Sequence, residues 1–188
     1  MMTDIIKEYK LIEREIDRYR RDPDEIIDPV IMATDNNVRT VFADFSGYPK
    51  LENKLGYYRI DVDDQGNLQH TVCRRKDIEP RWLSFTLAHE LAHYFYHKNV
   101  EKEWPNPPLI VDAFSKETSN NEIEQICDMF ARELLMPSNR FINGVSYYRG
   151  IFTDLSDKTA AEYLANDFYV PYSHSYTRGV ELGKFKNG

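Results

Sequence analysis

The chain is predicted to adopt an α+β fold, and two periodicities carry that prediction. Apolar residues recur at three- and four-residue spacing from Ile5 to Tyr19 and again from Ile123 to Leu135, as helices that bury one face require. Between them, Val38 to Phe45, Gly56 to Val62 and Leu68 to Val72 are rich in β-branched and aromatic residues and are bounded by turn signals, as the strands of a small sheet should be. At 188 residues the chain can bury one sizeable core, or one domain with a small appendage. Its 41% hydrophobic and 29% charged residues argue against a disordered or membrane-embedded chain.

In the first element, Ile5, Ile6, Tyr9, Ile12, Ile16 and Tyr19 form one stripe, and Asp22-Pro23 closes the helix. A proline-punctuated connection through Pro29 then leads to the strands. Asp63-Asp64-Gln65-Gly66-Asn67 supplies the hairpin turn between the last two. Asp61, Asp63 and Gly66 imitate the opening of a calcium loop, but Val72 stands where such a loop needs a bidentate Glu, so turn chemistry explains the cluster. The basic run Arg74-Arg75-Lys76 is expected in a solvated loop. Glu79-Pro80 opens the next helix, since proline suits the first helical turn.

That helix carries the chemistry. Phe85-Thr86-Leu87-Ala88-His89-Glu90-Leu91-Ala92-His93-Tyr94-Phe95-Tyr96-His97 contains His-Glu-x-x-His. His89 and His93, four apart, stand one turn above the other and can direct two imidazoles at one metal ion. Glu90 lies about 100° round the helix, within reach of a water at that metal without having to ligate it. Beyond the helix, Trp104-Pro105-Asn106-Pro107-Pro108 and the polar run Ser115 to Asn121 read as loops flanking it.

The second chemical stretch runs from Asn120 to Pro137. Ile123, Ile126, Cys127, Phe130, Ala131, Leu134 and Leu135 form its apolar stripe, and Pro137 ends it. Glu124 and Asp128, one turn apart, border that stripe, where carboxylates are costly unless paired or bound to metal. A zinc site would use Glu124 as third ligand and Asp128 as the acceptor that fixes the second ring nitrogen of a ligand histidine. Cys127, within the stripe, reads as a small buried thiol. Cys73 and Cys127 are the only cysteines and form no disulfide framework.

These residues, with His97 and the run Phe130-Ala131-Arg132-Glu133-Leu134-Leu135-Met136-Pro137, resemble the ImmA/IrrE metallopeptidases, chiefly over residues 26 to 137. Three positions depart from the family pattern: Ala92 replaces a usual Gly, and Cys127-Asp128 replaces a usual Ala-Asn. The resemblance implies a zincin-like (gluzincin-like) core, with a short antiparallel sheet beside the metal helix and Glu124 on a second helix. It also implies intracellular, zinc-dependent cleavage of a helix-turn-helix repressor, which derepresses phage, mobile-element or stress-response genes. The expected assignments are Glu90 as general base and His89, His93 and Glu124 as ligands of Zn2+, with Mn2+ or another divalent ion as the alternative. An oxyanion donor is also needed, and His97, Tyr147, Tyr148 or another of the thirteen Tyr are candidates that no sequence signal separates.

Residues 1–137 are thus expected to form the peptidase core with its N-terminal helix, and residues 138–188 a small helical region. After Ser138 the composition turns aromatic and turn-rich, and Thr159 to Val170 followed by Ser173 to Leu182 resembles a helix-turn-helix. With a net charge of −7, and only Arg178 and Lys184 on its second helix, this region is expected to pack or to bind a protein rather than hold phosphates. No secretory leader and no run of about eighteen apolar residues is legible, so a cytoplasmic location and no membrane partner are expected. The alternative function is a DNA-binding or antirepressor-type regulator with a structural metal. The intact Glu90 disfavours it, because a brace needs ligands and no general base.

Overall fold

The computed structural model describes residues 2–104, 109–115 and 121–186. Helix α1 (Met2–Tyr19) and a short α2 (Pro29–Asp35) precede strands β1 (Val38–Ala43), β2 (Lys54–Val62) and β3 (Leu68–Arg75). The central helix α3 (Pro80–Tyr96) runs into a π-helical turn, His97–Glu101. Strand β4 (Leu109–Ser115) leads to α4 (Glu122–Leu135), and α5 (Ser138–Ile151), α6 (Asp157–Asp167) and α7 (Tyr172–Glu181) follow. The class is α+β, as the sequence predicts.

The sheet has the order β1-β3-β2-β4 and is mixed rather than wholly antiparallel. β2 runs antiparallel to both β3 and β4, while β1 pairs parallel to β3, Val38 opposite His70 through Ala43 opposite Arg75. Two chain reversals cause this: the loop 44–53 turns the chain once and the hairpin turn 63–67 turns it again, so the third strand travels in the direction of the first. The hairpin turn is held by Asp63, whose carboxylate accepts from the backbone N–H groups of Gln65 and Asn67 at 2.9 and 2.8 Å. Turn chemistry accounts for Asp63.

Two elements, α2 and β4, lay outside the sequence reading, and a third, α5, falls in the region expected to be helical without having been placed. Asp28 caps α2, its carboxylate accepting from Val30 N at 2.8 Å, and Pro29 starts the helix, so the connection through Pro29 is a helical turn. β4 is the apolar run between the two loop segments, whose residues 105–108 and 116–120 lie outside the described residues. α5 occupies a stretch whose Asn and Gly content hides a helical repeat, Phe141, Val145 and Tyr148. Gly144 lets α5 approach α6, since a Cβ there would stand 2.6 Å from Leu164 Cδ2. The basic run also differs from expectation: Arg74 and Arg75 belong to β3, and Arg74 is buried with its guanidinium 4.5 Å from the Phe42 ring centroid. Strand alternation turns Arg74 inward and Arg75 outward to pair with Asp77.

α3 is the axis of the core. Nearly every residue from Phe85 to His97 is buried, so the helix is covered all round, by β2 and β3 on one side and by α1 and α4 on others. Ile12 and Ile16 of α1 are fully buried, as are Leu87 and Leu91 of α3 and Phe130 and Leu134 of α4. The C-terminal helices share this core through Ala160, Ala161, Leu164, Phe168 and Phe185. Among the described residues no helix is long and apolar enough to cross a membrane.

One close approach sets the distance between α3 and the sheet. A Cβ on Gly56 of β2 would stand 2.4 Å from Thr86 Cγ2, 3.0 Å from the Cys73 carbonyl oxygen and 3.4 Å from Glu90 Oε1. Two of the three neighbours are a buried helical side chain and a strand backbone, neither of which can move aside cheaply. Gly56→Ala is therefore expected to destabilise the fold by about 1–3 kcal/mol through overpacking, read as a lower urea midpoint. A midpoint equal to wild type would show that α3 can lift off β2 freely.

Candidate metal centre

His89, His93 and Glu124 converge where α3 faces α4. Helical spacing stacks the two imidazoles, and Asn121 starts the partner helix at the right point by capping it, its side-chain oxygen accepting from Ile123 N at 3.0 Å. Ala88, Ala92 and Ala131 are fully buried, and their small size lets the two helices come close.

The donor separations are specific. His89 Nε2 and His93 Nε2 stand 3.3 Å apart, His89 Nε2 is 3.3 Å from Glu124 Oε2, and His93 Nε2 is 3.2 Å from Glu124 Oε1. A tetrahedral ion with N and O ligands at about 2.0–2.1 Å sets neighbouring donors about 3.3 Å apart. The three residues thus fit a divalent ion by donor type and by spacing, and among the described residues they form the one group with ligand atoms so close together. The imidazoles are buried, and Glu124, with 15% of its side chain exposed, marks the side facing solvent.

His89 is oriented from behind. His89 Nδ1 meets Asp128 Oδ1 at 2.9 Å, which leaves Nε2 for the ligand cluster. Burial pushes the Cys127 thiol, on the α4 side of His93, up to about 11, so it stays protonated. Burial opposes a charge on His89, but its hydrogen bonds to Asp128 and Glu124 outweigh that and hold its pKa at about 9 without metal. Asp128 is held below the usual carboxylate range: burial raises its pKa, and His89 and Arg132 more than reverse the effect. Glu90 is fully buried, against β2 at Gly56.

The other candidates have different surroundings. His97 lies one turn beyond His93 and is buried, its Nδ1 paired with Glu101 and its ring near those of Tyr58 and Trp104. Burial lowers its pKa. Tyr148 donates to Asp167 at 2.7 Å and stacks on Tyr163, and exposed Tyr147 packs edge-on against it, so both have their partners on α5 and α6. α6 and α7 do form two helices joined by a short turn, with Ser175 Oγ donating to the Ala161 carbonyl at 2.9 Å.

Three residues beside the site were not anticipated. His174 of α7 stacks on Phe85 with centroids 3.6 Å apart and meets Trp82 edge-on, and burial pushes it down to about 3, so it is neutral. Arg132 and Glu181 stand behind Asp128. Arg132 is legible in retrospect, being one turn past Asp128; nothing in the sequence brings α7 to this place.

The Peptidase_M78 model, described as an IrrE N-terminal-like domain, matches residues 79–174. The match begins at the cap of α3, includes α4 and reaches into α7. No curated protein matches the chain.

The His89 value predicts how metal uptake depends on pH. A folded pKa of about 9 lies above the ordinary 6.5, so in the metal-free protein the stabilisation from charged His89 is complete below 6.5 and is lost as pH rises through about 9. A metal ion must displace that proton. Titrating Zn2+ at pH 7 in buffers of different ionisation enthalpy is expected to reveal release of about one proton per ion from His89, a contribution that declines as pH rises through about 9 and that adds to any proton given up by water on the metal. Proton release that is absent at pH 7 would contradict a charged His89.

Proposed function

The chain belongs to the Peptidase_M78 family and is a metallopeptidase, and on that premise we propose that it is a zinc-dependent endopeptidase that cleaves a helix-turn-helix repressor protein. The observation that carries the reading is the triangle of donor atoms from His89, His93 and Glu124, each side 3.2–3.3 Å, with the carboxylate of Glu90 one residue from the first of them. Two imidazoles and one carboxylate, leaving a fourth position open, are the donor set of catalytic rather than structural zinc. When bound, the metal supplies Lewis acidity that polarises a carbonyl and acidifies a water molecule.

The chain's own residues do the rest. Glu90 accepts a proton from the attacking water at a carboxylate oxygen and delivers it to the leaving amide nitrogen, so that the amine departs neutral. Its burial against Gly56 limits its rotamers, on the side of α3 about 100° round from His89. Asp128 accepts the Nδ1 proton of His89 and so fixes the tautomer that leaves Nε2 free to ligate. The partner is read as a protein because the second helix of the helix-turn-helix-like pair has no free Arg: Arg178 is buried and paired with Glu133. That same burial weighs against the DNA-binding regulator, which needs cations at the surface.

The test uses wild type, Glu90→Gln and His93→Ala against helix-turn-helix repressors encoded beside this gene and against a mixed peptide library, with products read by mass spectrometry. Wild type is expected to carry one zinc and to cut. Glu90→Gln should keep its metal and lose about 10²–10⁴-fold in turnover, and His93→Ala should lose the metal. Cleavage by Glu90→Gln at the wild-type rate would overturn the peptidase mechanism. Cleavage of library peptides with every repressor left intact would overturn the substrate.

A further inference from the structure

Behind Asp128 the structure builds a chain of charges that leaves the ligand helices. Asp128 divides its two oxygens: Oδ1 faces His89 Nδ1 at 2.9 Å, and Oδ2 faces Arg132 Nη1 at 3.4 Å. Arg132 turns its other nitrogens to α7, with Nε 3.0 Å and Nη2 2.7 Å from Glu181 Oε1. Glu181 Oε2 lies 3.5 Å from Arg178 Nη1, one turn back on the same helix. Arg178 in turn pairs with Glu133 of α4 and donates from Nε to the Met136 carbonyl at 3.1 Å and from Nη2 to Ser138 Oγ at 2.9 Å. Arg20, just past α1, completes the series on Glu133 Oε1 at 2.7 Å.

We infer that Arg132 and Glu181 are positioning residues of the metal centre, through which α7 fixes the carboxylate that orients His89. The inference rests on the metal-site reading above. Its physical ground is the alternation of sign: Asp128, Glu181 and Glu133 face Arg132, Arg178 and Arg20, three charges against three, and both Arg132 and Arg178 are only 6% exposed. A buried charge is tolerable when paired, and removing one partner leaves its neighbour to find another. Without Glu181, the carboxylate left paired with the Arg132 guanidinium among the described residues is that of Asp128. A bidentate grip there would draw Asp128 away from Nδ1 of His89, because one carboxylate cannot serve both in full. Glu181 therefore holds Arg132 at the longer 3.4 Å contact and leaves the shorter bond to histidine. His174 encloses the same place from the other end of α7, by its stacking on Phe85 one turn before His89. The helix thus touches the support of the site at two points.

The test measures metal affinity, not turnover. The full chain is titrated with Zn2+ against a chromogenic chelator, and the visible absorption of bound Co2+ is recorded, for wild type, Glu181→Gln, Arg132→Gln, Asp128→Asn and the Asp128→Asn/Glu181→Gln double variant; urea unfolding of each metal-free chain is followed separately. Asp128→Asn is expected to weaken Zn2+ binding about 10–100-fold, and Glu181→Gln, one contact further out, about fivefold with an altered Co2+ spectrum. In the Asp128→Asn background the Glu181 substitution should have no further effect, since its route to the metal is gone. Arg132→Lys, which keeps the charge without the fork, should recover part of the loss and replaces Arg132→Gln if that variant does not fold. Wild-type affinity in both Glu181 and Arg132 variants would overturn this inference alone. So would a Glu181 effect of equal size with and without Asp128, which is mere loosening of the fold. A His93→Ala chain that binds Zn2+ as wild type does would overturn the metal site itself and this inference with it.

Discussion

Three donor atoms from two helices must stay within about 0.2 Å of a fixed triangle for a metal ion to find its bonds there. His89 and His93 are rigidly related because they share a helix. Glu124 is thirty-odd positions away in the chain and depends wholly on how α4 lies on α3. The contact between these helices is therefore the constraint to which the remaining structure answers. Small buried residues at Ala88, Ala92 and Ala131 bring the backbones together, and larger ones limit sliding, as where Phe95 meets Phe130 at a centroid distance of 5.7 Å. The Asp128 to His89 bond crosses the same seam and ties the helices beside the donor cluster.

What lies outside the pair acts as buttress. The sheet presses on α3 through β2, where Gly56 allows a contact that no other residue could make without displacement. On the far side of α4, Glu133 is gripped from both directions of the chain, by Arg20 after α1 and by Arg178 of α7. Burial would raise the pKa of Glu133, yet the two arginines and Ser138 hold it below the usual carboxylate range, so the clamp remains ionic at neutral pH. Helix placement is thus enforced by packing on one side and by charge on the other.

The parts legible in the sequence are those whose cause is local. Four-residue spacing put His89 and His93 on one face, the Glu79-Pro80 start fixed where α3 begins, and the edge positions of Glu124 and Asp128 on an apolar stripe marked them as carboxylates needing a partner. The hairpin turn at Asp63 to Asn67 was legible for the same reason. Elements with weak local signals were not: α5 carries Asn139, Asn143, Gly144 and Gly150, and its helical state is decided by packing on α6. The direction of β1 relative to β3 depends on counting chain reversals across a loop with no period of its own. Arg178 was counted only as one of two cations on the second helix, because nothing near it in sequence announces Glu133, 45 residues earlier. Long-range pairing of charges leaves no mark in a window of residues, and the support of the site is made of such pairs.

The double grip on Glu133 also has a meaning for biosynthesis. A ribosome delivers α1 first, then the histidines, then α4, and α7 only after them, at a pace of about 5–20 residues per second. For some seconds the nascent chain holds His89, His93 and Glu124 while Arg132 still lacks Glu181 and Glu133 lacks Arg178. The placement of α4 is therefore completed by a segment made after the three donor residues, the delay being set by the order of the helices.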